Sequence, residues 1–336
     1  MEPENTIPDS QRPEPMASDE IQDNRLKETA DALKAQIQKV IIGQDKAIDL
    51  LISALLVNGH VLIEGVPGIA KTLLAKMLAK TLSTQFTRIQ FTPDLMPTDI
   101  TGTMVFNTKN SDFQFRKGPI FSNIVLIDEI NRAPAKTQSA LFEVMEESQV
   151  TVEGVTHKIG FPFFVLATQN PVEQEGTYKL PEAQLDRFLY RVKIGYPSQD
   201  EEEQILMRFK EDFTMRSAAG VQEVISGQKL AELKDSIEKV YIKDDLVKYI
   251  AAITNKTRNS TDISLGASPR ASLAILKTAK AIAALNGRNF VTPEDIQFVC
   301  YPVLNHRIVL NPEREIEGVQ PEEIIRQIIQ SVEVPR

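Results

Sequence analysis

The stretch HVLIEGVPGIAKT, residues 60–72, decides the reading of this chain. It runs as a short apolar strand, a glycine-bearing loop, a lysine and a threonine. An amphipathic helix follows, with Leu74, Met77, Leu78 and Leu82 at helical spacing. This order suits a loop that cradles phosphates. Backbone N–H groups of the loop and of the helix N-terminus point at the anion, and Lys71 adds a point charge. The Thr72 hydroxyl can enter the shell of a magnesium ion. The strict pattern wants glycine directly before the lysine, and here that position is Ala70. What survives is Gly65, Gly68, Lys71 and Thr72, a relaxed match that arises by chance in roughly one chain in six of this length. The bland alternative is a strand-to-helix turn that happens to hold a lysine. Against it, Lys71 lies in the first helical turn, where the macrodipole disfavours a cation by about 0.3–1 kcal/mol. A bound anion reverses that penalty.

Corroboration comes from NIVLIDE, residues 123–129. Ile124, Val125, Leu126 and Ile127 make the continuous apolar run of a strand buried on both faces of a parallel sheet. The run ends in Asp128-Glu129. The first carboxylate suits magnesium coordination and the second suits polarisation of an attacking water. An acidic turn after any core strand is the alternative, but both halves occur in the right order.

Further along, Phe163 to Ala167 reads as another buried strand ending in Thr168-Gln169-Asn170. Asn170 then lies on the same carboxyl rim as the acidic pair, where open α/β sheets bind ligands. A loop-capping amide is an equal reading on spacing alone. Two hairpins are expected. TMVFNTKNSDFQFRK turns within Lys109 to Asp112, and the other turns at Glu153-Gly154. Upstream, ordered structure is expected from Asp23 or Asn24, with Leu26, Ala30, Leu33, Ile37 and Val40 as a helical stripe. Strands alternating with helices imply a three-layer α/β fold around a parallel sheet.

Composition shifts at Pro197. Ser198 with Glu201 makes a capping box. Helical stripes follow at Leu230 to Val240, Asp244 to Arg258, Ser268 to Leu285 and Thr292 to Val299, with no strand expected before about Val309 and a loop from Met215 to Gly227. Asp186-Arg187 by itself reads as a surface pair worth little. Arg270 would sit at the second position of a helix, again a cation at the wrong end of the dipole, which favours a phosphate contact over mere packing.

The whole chain has 336 residues, 42% hydrophobic and 25% charged, which suits one large or two ordinary soluble domains. A single cysteine, Cys300, excludes an internal disulfide framework and a cysteine metal cluster, and fits a reducing cytoplasm. No run is long enough to span a membrane, and the N-terminus lacks the regions of a signal peptide. Of the net charge of −8, residues 1–24 carry −6, seven acids against Arg12. With four prolines, that segment is expected to be a disordered tail. An acidic balance argues against a general nucleic-acid binder.

These residues together resemble the AAA+ ATPases, and more closely their MoxR family. VTVEGVTHKIGFPFFVLATQNP, with DEINRAP before it and LPEAQLDRF after it, is similar to that family's central block. GVPGIAKT resembles its variant phosphate loop, in which alanine before the lysine is common. The resemblance covers about residues 25–330. It implies an AAA+ P-loop NTPase domain at 25–197, with a parallel sheet core and two hairpin insertions, then an all-α lid at 198–336. It implies ATP and Mg²⁺ as ligands. The phosphate loop would comprise Gly65, Val66, Pro67, Gly68, Ile69, Ala70, Lys71, Thr72 and Leu73, and Ile41, Ile42 and Gly43 would line the adenine pocket. Thr72 and Asp128 would hold the metal. Glu129 would activate water, Asn170 would take the first-sensor role, Arg187 that of a finger offered to a neighbouring subunit, and Arg270 that of the second sensor, in cis or in trans. A ring of six subunits is implied, with a von Willebrand factor A-domain protein and protein clients as partners.

Two other readings compete. A nucleic-acid motor of the MCM type shares the hairpins, with Lys109, Arg116 and Lys117 as contacts, but no aromatic-and-basic stacking platform is evident. A nucleotide-gated scaffold without hydrolysis would follow if the Ala70 methyl crowded the phosphates. That needs a positive φ at Ala70, whereas the residue before Lys71 is expected near helical dihedrals.

Overall fold

The computed structural model describes residues 17–66, 68–170, 178, 180–211 and 220–335, with side chains from residue 25 onward. Pro67, the first sixteen residues, Pro171 and most of the first half of the expected Met215–Gly227 loop lie outside the described residues. Helices α1 (Ala17–Gln38) and α2 (Asp45–Leu56) precede β1 (Val61–Glu64). Then come α3 (Lys71–Thr81), β2 (Phe86–Gln90), the short α4 (Pro97–Thr101), and a hairpin of β3 (Gly102–Asn107) and β4 (Asp112–Lys117). After β5 (Ile124–Asp128) and α5 (Ala135–Glu147), the second hairpin pairs β6 (Gln149–Val152) with β7 (Val155–Lys158). The half closes with β8 (Phe164–Gln169), the one-turn α6 (Glu182–Leu185) and β9 (Tyr190–Lys193).

Five of these strands form one parallel sheet in the order β2-β5-β8-β1-β9. Side-chain alternation divides their apolar residues between two cores. Val61, Ile63, Ile124, Leu126, Phe164 and Leu166 face the side packed by α1, α2 and α3. Leu62, Val125, Ile127, Val165 and Ala167 face Leu141, Phe142, Val144 and Met145 of α5. Burial on both faces explains why the sequence shows unbroken apolar runs here and not alternation. Leu74, Met77 and Leu78 fix α3 against the first core, each fully buried and worth about 1.5–3 kcal/mol. A charge at Leu78 would detach the helix that carries Lys71.

Both hairpins form as the spacing predicts. In the second, Val152 pairs with Val155, leaving Glu153 and Gly154 as a two-residue turn with φ of 49° and 78°. Two positive φ values match the twist that a tight hairpin needs. The first pairs Asn107 with Asp112.

The remaining elements are α7 (Gln199–Glu211), α8 (Gly227–Glu238), α9 (Asp244–Arg258), β10 (Ile263–Leu265), α10 (Pro269–Leu285), α11 (Pro293–Leu304), β11 (Val309–Leu310), α12 (Pro312–Ile316) and α13 (Pro321–Ser331). The capping box at α7 forms in both directions: Ser198 N–H donates to Glu201 at 2.8 Å, and Glu201 N–H donates to Ser198 Oγ at 3.3 Å. Two expectations need correction. The region is helical but not all-α, because β10 pairs antiparallel with β11. A three-residue strand is too short to show alternation. Helix α1 also begins at Ala17, ahead of Asp23. The lid region shares the first core with α1 and α2, through Ala279, Ile282, Ile296 and Val299 among others. Among the described residues no helix is long and apolar enough to cross a membrane.

Candidate active site

Three neighbouring strands deliver three polar groups to one edge of the sheet. Strand β1 leads into the loop ending at Lys71 and Thr72, β5 ends in Asp128 with Glu129 next, and β8, which lies between them, leads to buried Asn170. Parallel strands in register make this convergence unavoidable once the three motifs follow their strands.

In the loop, Gly65 N–H donates to Gln169 O at 3.3 Å, tying β1 to β8. Gly68 has φ +87°, and a Cβ built there would meet nothing within 4 Å. Its backbone is therefore open on the side where an anion would lie. Ala70 overturns one expectation. Its φ is +62° and ψ is +22°, left-handed and not helical, so the loop makes its reversal at the residue before α3. That is why the general motif carries glycine there. The methyl packs against the first apolar core. Lys71 Nζ donates to Gly65 O. Ile69 is buried, while Val66 and Leu73 are half-buried.

The Ile41–Gly43 turn packs beside this loop. Gln44 Nε2 donates to Ile69 O at 3.4 Å, Ile41 is buried and Ile42 half-buried. Gly43 has φ +69°, and any side chain there would strike the Glu201 carboxylate of α7. The turn is thus closed by the first helix after β9.

The acidic pair is held by a network. Thr168 hydroxyl donates to Asp128 Oδ1 at 2.9 Å and accepts from the Glu129 N–H at 3.0 Å. Thr72 hydroxyl donates to Asp128 Oδ2 at 3.5 Å. Arg88 Nε donates to the same oxygen at 2.6 Å. Gln90 Nε2 donates to Glu129 Oε2 at 2.9 Å, and Arg132 Nε lies 2.9 Å from that atom. Glu129 has φ 57° and ψ 52°, a left-handed conformation rare for a residue with a side chain. The donor set fits magnesium. A hydroxyl and a carboxylate face each other across one gap, both hard oxygen ligands, and phosphate oxygens and water would complete an octahedral shell.

Arg187 and Arg270 stand elsewhere. Strand β9 runs parallel to β1 with Tyr190 opposite Val61, so Arg187 sits at the amino end of the sheet, beside His60. The loop leaves the opposite end. The span from His60 to Glu64 is about 13 Å at strand rise, longer than an arginine side chain. Arg187 Nη1 donates to Phe142 O at 2.8 Å and Nη2 lies 2.9 Å from Glu146. Arg270 Nη2 donates to Glu146 Oε1 at 3.0 Å. One glutamate thus gathers both arginines at the rim of a cleft of about 430 Å³. Asp186 pairs with Arg307 at 2.7 Å and not with Arg187, which corrects the surface-pair reading. Arg307 is almost wholly buried and also donates to the carbonyls of Phe188, Leu189 and Val303. Burial pushes its guanidinium below the ordinary range, and Asp186 opposes that shift.

Sequence reasoning missed Arg88, Gln90, Arg132, Thr168, Glu146 and Arg307. Arg88 and Gln90 alternate with Ile89 on β2, so their shared face was legible, but not what lay opposite.

Comparison with known proteins agrees with the fold. The ATPase family associated with various cellular activities (AAA) matches residues 60–190, and the AAA lid domain matches 255–328. A Bacillus subtilis protein described as uncharacterized protein YeaC is 47% identical over 89% of this chain and 92% of its own length. Chaperone MoxR1 of Mycobacterium tuberculosis is 41% identical over 90% of this chain and 81% of its own. The crystal structure of a presumed ATPase from Cytophaga hutchinsonii superposes with a TM-score of 0.87 at 43% identity, covering 95% of this chain and 98% of that one.

Proposed function

The chain belongs to the MoxR family of AAA+ ATPases, and from that premise we propose that it hydrolyses ATP at subunit interfaces of a ring to remodel or mature protein partners. The observation that carries the proposal is the meeting of Lys71 and Thr72, Asp128 and Glu129, and Asn170 at the ends of adjacent strands. Lys71 and the loop N–H groups hold the triphosphate, while the Ile41–Gly43 turn receives the base. Thr72 and Asp128 would hold Mg²⁺, which when bound would neutralise phosphate charge. Asn170 positions water, and Glu129 polarises it once its carboxylate leaves Gln90 and Arg132. Residues 25–197 form the nucleotide-binding body and 198–336 the lid.

Arg187 and Arg270 act in trans on this reading. Each lies at the sheet end opposite its own loop, and Glu146 presents the two together at an open cleft. A supplied arginine finger is worth about 10³–10⁵ in rate. We assign six subunits, a von Willebrand factor A-domain partner, unidentified protein clients and a cytoplasmic setting as parts of the same proposal. The positive φ of Ala70 meets the condition of the scaffold alternative, but its methyl packs against the first apolar core, which supports the hydrolysing reading.

One observation favours the nucleic-acid motor: Phe106 and Phe113 are exposed edge-to-face on the first hairpin, whose second strand carries Arg116 and Lys117. The chain's acidity opposes it. Single-stranded DNA that bound tightly and stimulated phosphate release would reverse the ranking.

The decisive experiment is mixing. Glu129→Gln should bind ATP and release almost no phosphate. Arg187→Ala and Lys71→Ala should each be inactive alone, and together should recover part of the turnover. Absence of any recovery in mixed assemblies refutes the trans assignment.

A further inference from the structure

We infer that Arg88 is a built-in competitor for the divalent cation at Asp128, a device that couples metal occupancy to nucleotide affinity. The inference rests on the nucleotide-site reading above and concerns a residue that reading does not use. Thr72 and Arg88 share a single acceptor, Asp128 Oδ2, at 3.5 Å and 2.6 Å, while Thr168 takes Oδ1. The oxygen facing Thr72 is the one a metal held between Thr72 and Asp128 must use. Thr72 and Arg88 already take both lone pairs of that oxygen, and a guanidinium and a divalent ion repel each other, so Arg88 and the cation are alternative partners of it.

The two sides of this ion pair differ. The Asp128 side chain is 10% exposed and fixed by Thr168, whereas that of Arg88 is 52% exposed. Asp128 is the stationary partner and Arg88 the one free to swing into solvent. Strand β2 is at the sheet edge, so nothing in the sheet covers its outer flank. A compact divalent ion with further oxygen ligands outcompetes a half-solvated guanidinium, but must displace it.

Arg88 also reaches the second carboxylate. Its Nη2 donates to Gln90 Oε1 at 3.2 Å, and Gln90 Nε2 donates to Glu129. A guanidinium only donates and a carboxylate only accepts, so the Gln90 amide can face only one way. With Arg88 on Asp128, the amide is locked toward Glu129. When Arg88 leaves, the amide loses the contact that orients it. Arg88 is thus a positioning residue for Glu129 and a stand-in charge for Asp128.

Without metal, Arg88 also offsets repulsion between Asp128 and the triphosphate. Replacing it has opposite effects in the two conditions, and this gives the test its signature. The purified full chain is titrated with a fluorescent ATP analogue in EDTA and at graded Mg²⁺, for wild type, Arg88→Met and Arg88→Lys. Arg88→Met should weaken metal-free binding about 2–5-fold, the worth of a half-exposed pair. It should also lower the Mg²⁺ concentration for half-maximal binding by a similar factor. Arg88→Lys should stay within about 2-fold of wild type on both readings, since it keeps the charge.

Equal weakening in both conditions would mean a merely structural role and would overturn the inference. Weaker binding confined to saturating Mg²⁺ would mean that Arg88 touches the metal-bound nucleotide itself, and would overturn it too. Wild-type protein showing no saturable signal would sink the nucleotide-site reading as a whole, an outcome separate from either. A thermal melt in EDTA establishes that the variants are folded.

Discussion

Acidification should unfold this protein through a histidine that cannot accept a proton where it sits. His60 is buried at the head of β1, with its ring edge-to-face on Phe163 at 5.4 Å. Its Nδ1 accepts from the Val165 N–H at 3.1 Å, which leaves Nε2 to donate to Met145 O at 3.0 Å. Both ring nitrogens are satisfied in the neutral form, and a second ring proton would clash with the Val165 donor. Burial pulls the pKa down from 6.5 to about 4, against a smaller upward pull from the Met145 carbonyl. The unfolded chain therefore binds a proton below about 6.5 that the folded chain refuses until about 4. Stability falls as pH drops through that window. The loss from this one group is about 2 kcal/mol by pH 5 and about 3 kcal/mol near pH 4. The assay is urea unfolding at pH 7 and pH 5 for wild type and His60→Gln. Glutamine keeps an acceptor and a donor but does not titrate. Other groups, including buried His306, titrate in both proteins and cancel in the double difference. Wild type should lose about 2 kcal/mol more than the variant between the two pH values. Equal losses would refute the argument, whatever the variant's stability at pH 7.

Ala70→Gly should raise stability by about 0.5 kcal/mol, because the roughly 1–2 kcal/mol left-handed penalty at φ +62° exceeds the 0.4–1 kcal/mol lost to a freer unfolded chain; a lower urea midpoint would refute it. Arg307→Met should cost about 3–5 kcal/mol, because Asp186 and the carbonyls of Phe188, Leu189 and Val303 lose a buried donor together; a loss under about 1 kcal/mol in the same assay would mean the pocket rehydrates cheaply.

What the sequence made legible tracks the range over which each signal acts. Walker-type residues were readable because each follows an apolar run, and a run of four or five such residues in a parallel sheet points its next residue to the rim. The second hairpin was readable from Glu153-Gly154, where two positive φ values demand that chemistry. Ala70 misled because alanine ordinarily extends a helix. Only the loop's closure against β8 and α3 forces the reversal there. Strand β10 is held by β11, more than forty residues on, with nothing local to announce it. Helix α13 was missed despite a signal, since Pro321 and the buried Ile324, Ile325, Ile328 and Ile329 make a clear stripe. Glu146 could not have been found. Its role is defined by Arg187 and by Arg270, 124 residues away, and a single glutamate near a helix end looks like any other.

The placement of the charged groups bears on why a lone chain would be a poor catalyst on the proposed reading. The sheet is one layer whose strands all point the same way, so its two ends are chemically unlike. The carboxyl end carries the loop, the acidic pair and Asn170, and the amino end carries Arg187 and Arg270. No swing of a side chain brings the two sets together, because the strands themselves hold them apart. Glu146 bridges both arginines in the free chain, with Asp186 3.8 Å from Arg270, and these carboxylates reduce the repulsion between two like charges at one rim. A neighbour's triphosphate offers more negative charge than one glutamate, so exchange of partners would favour docking when nucleotide is bound and disfavour it after phosphate leaves. Glu146→Gln tests that step. It should strengthen nucleotide-dependent assembly if Glu146 competes with the phosphates, and weaken it if Glu146 merely orients the arginines, as read by sedimentation with and without a non-hydrolysable ATP analogue.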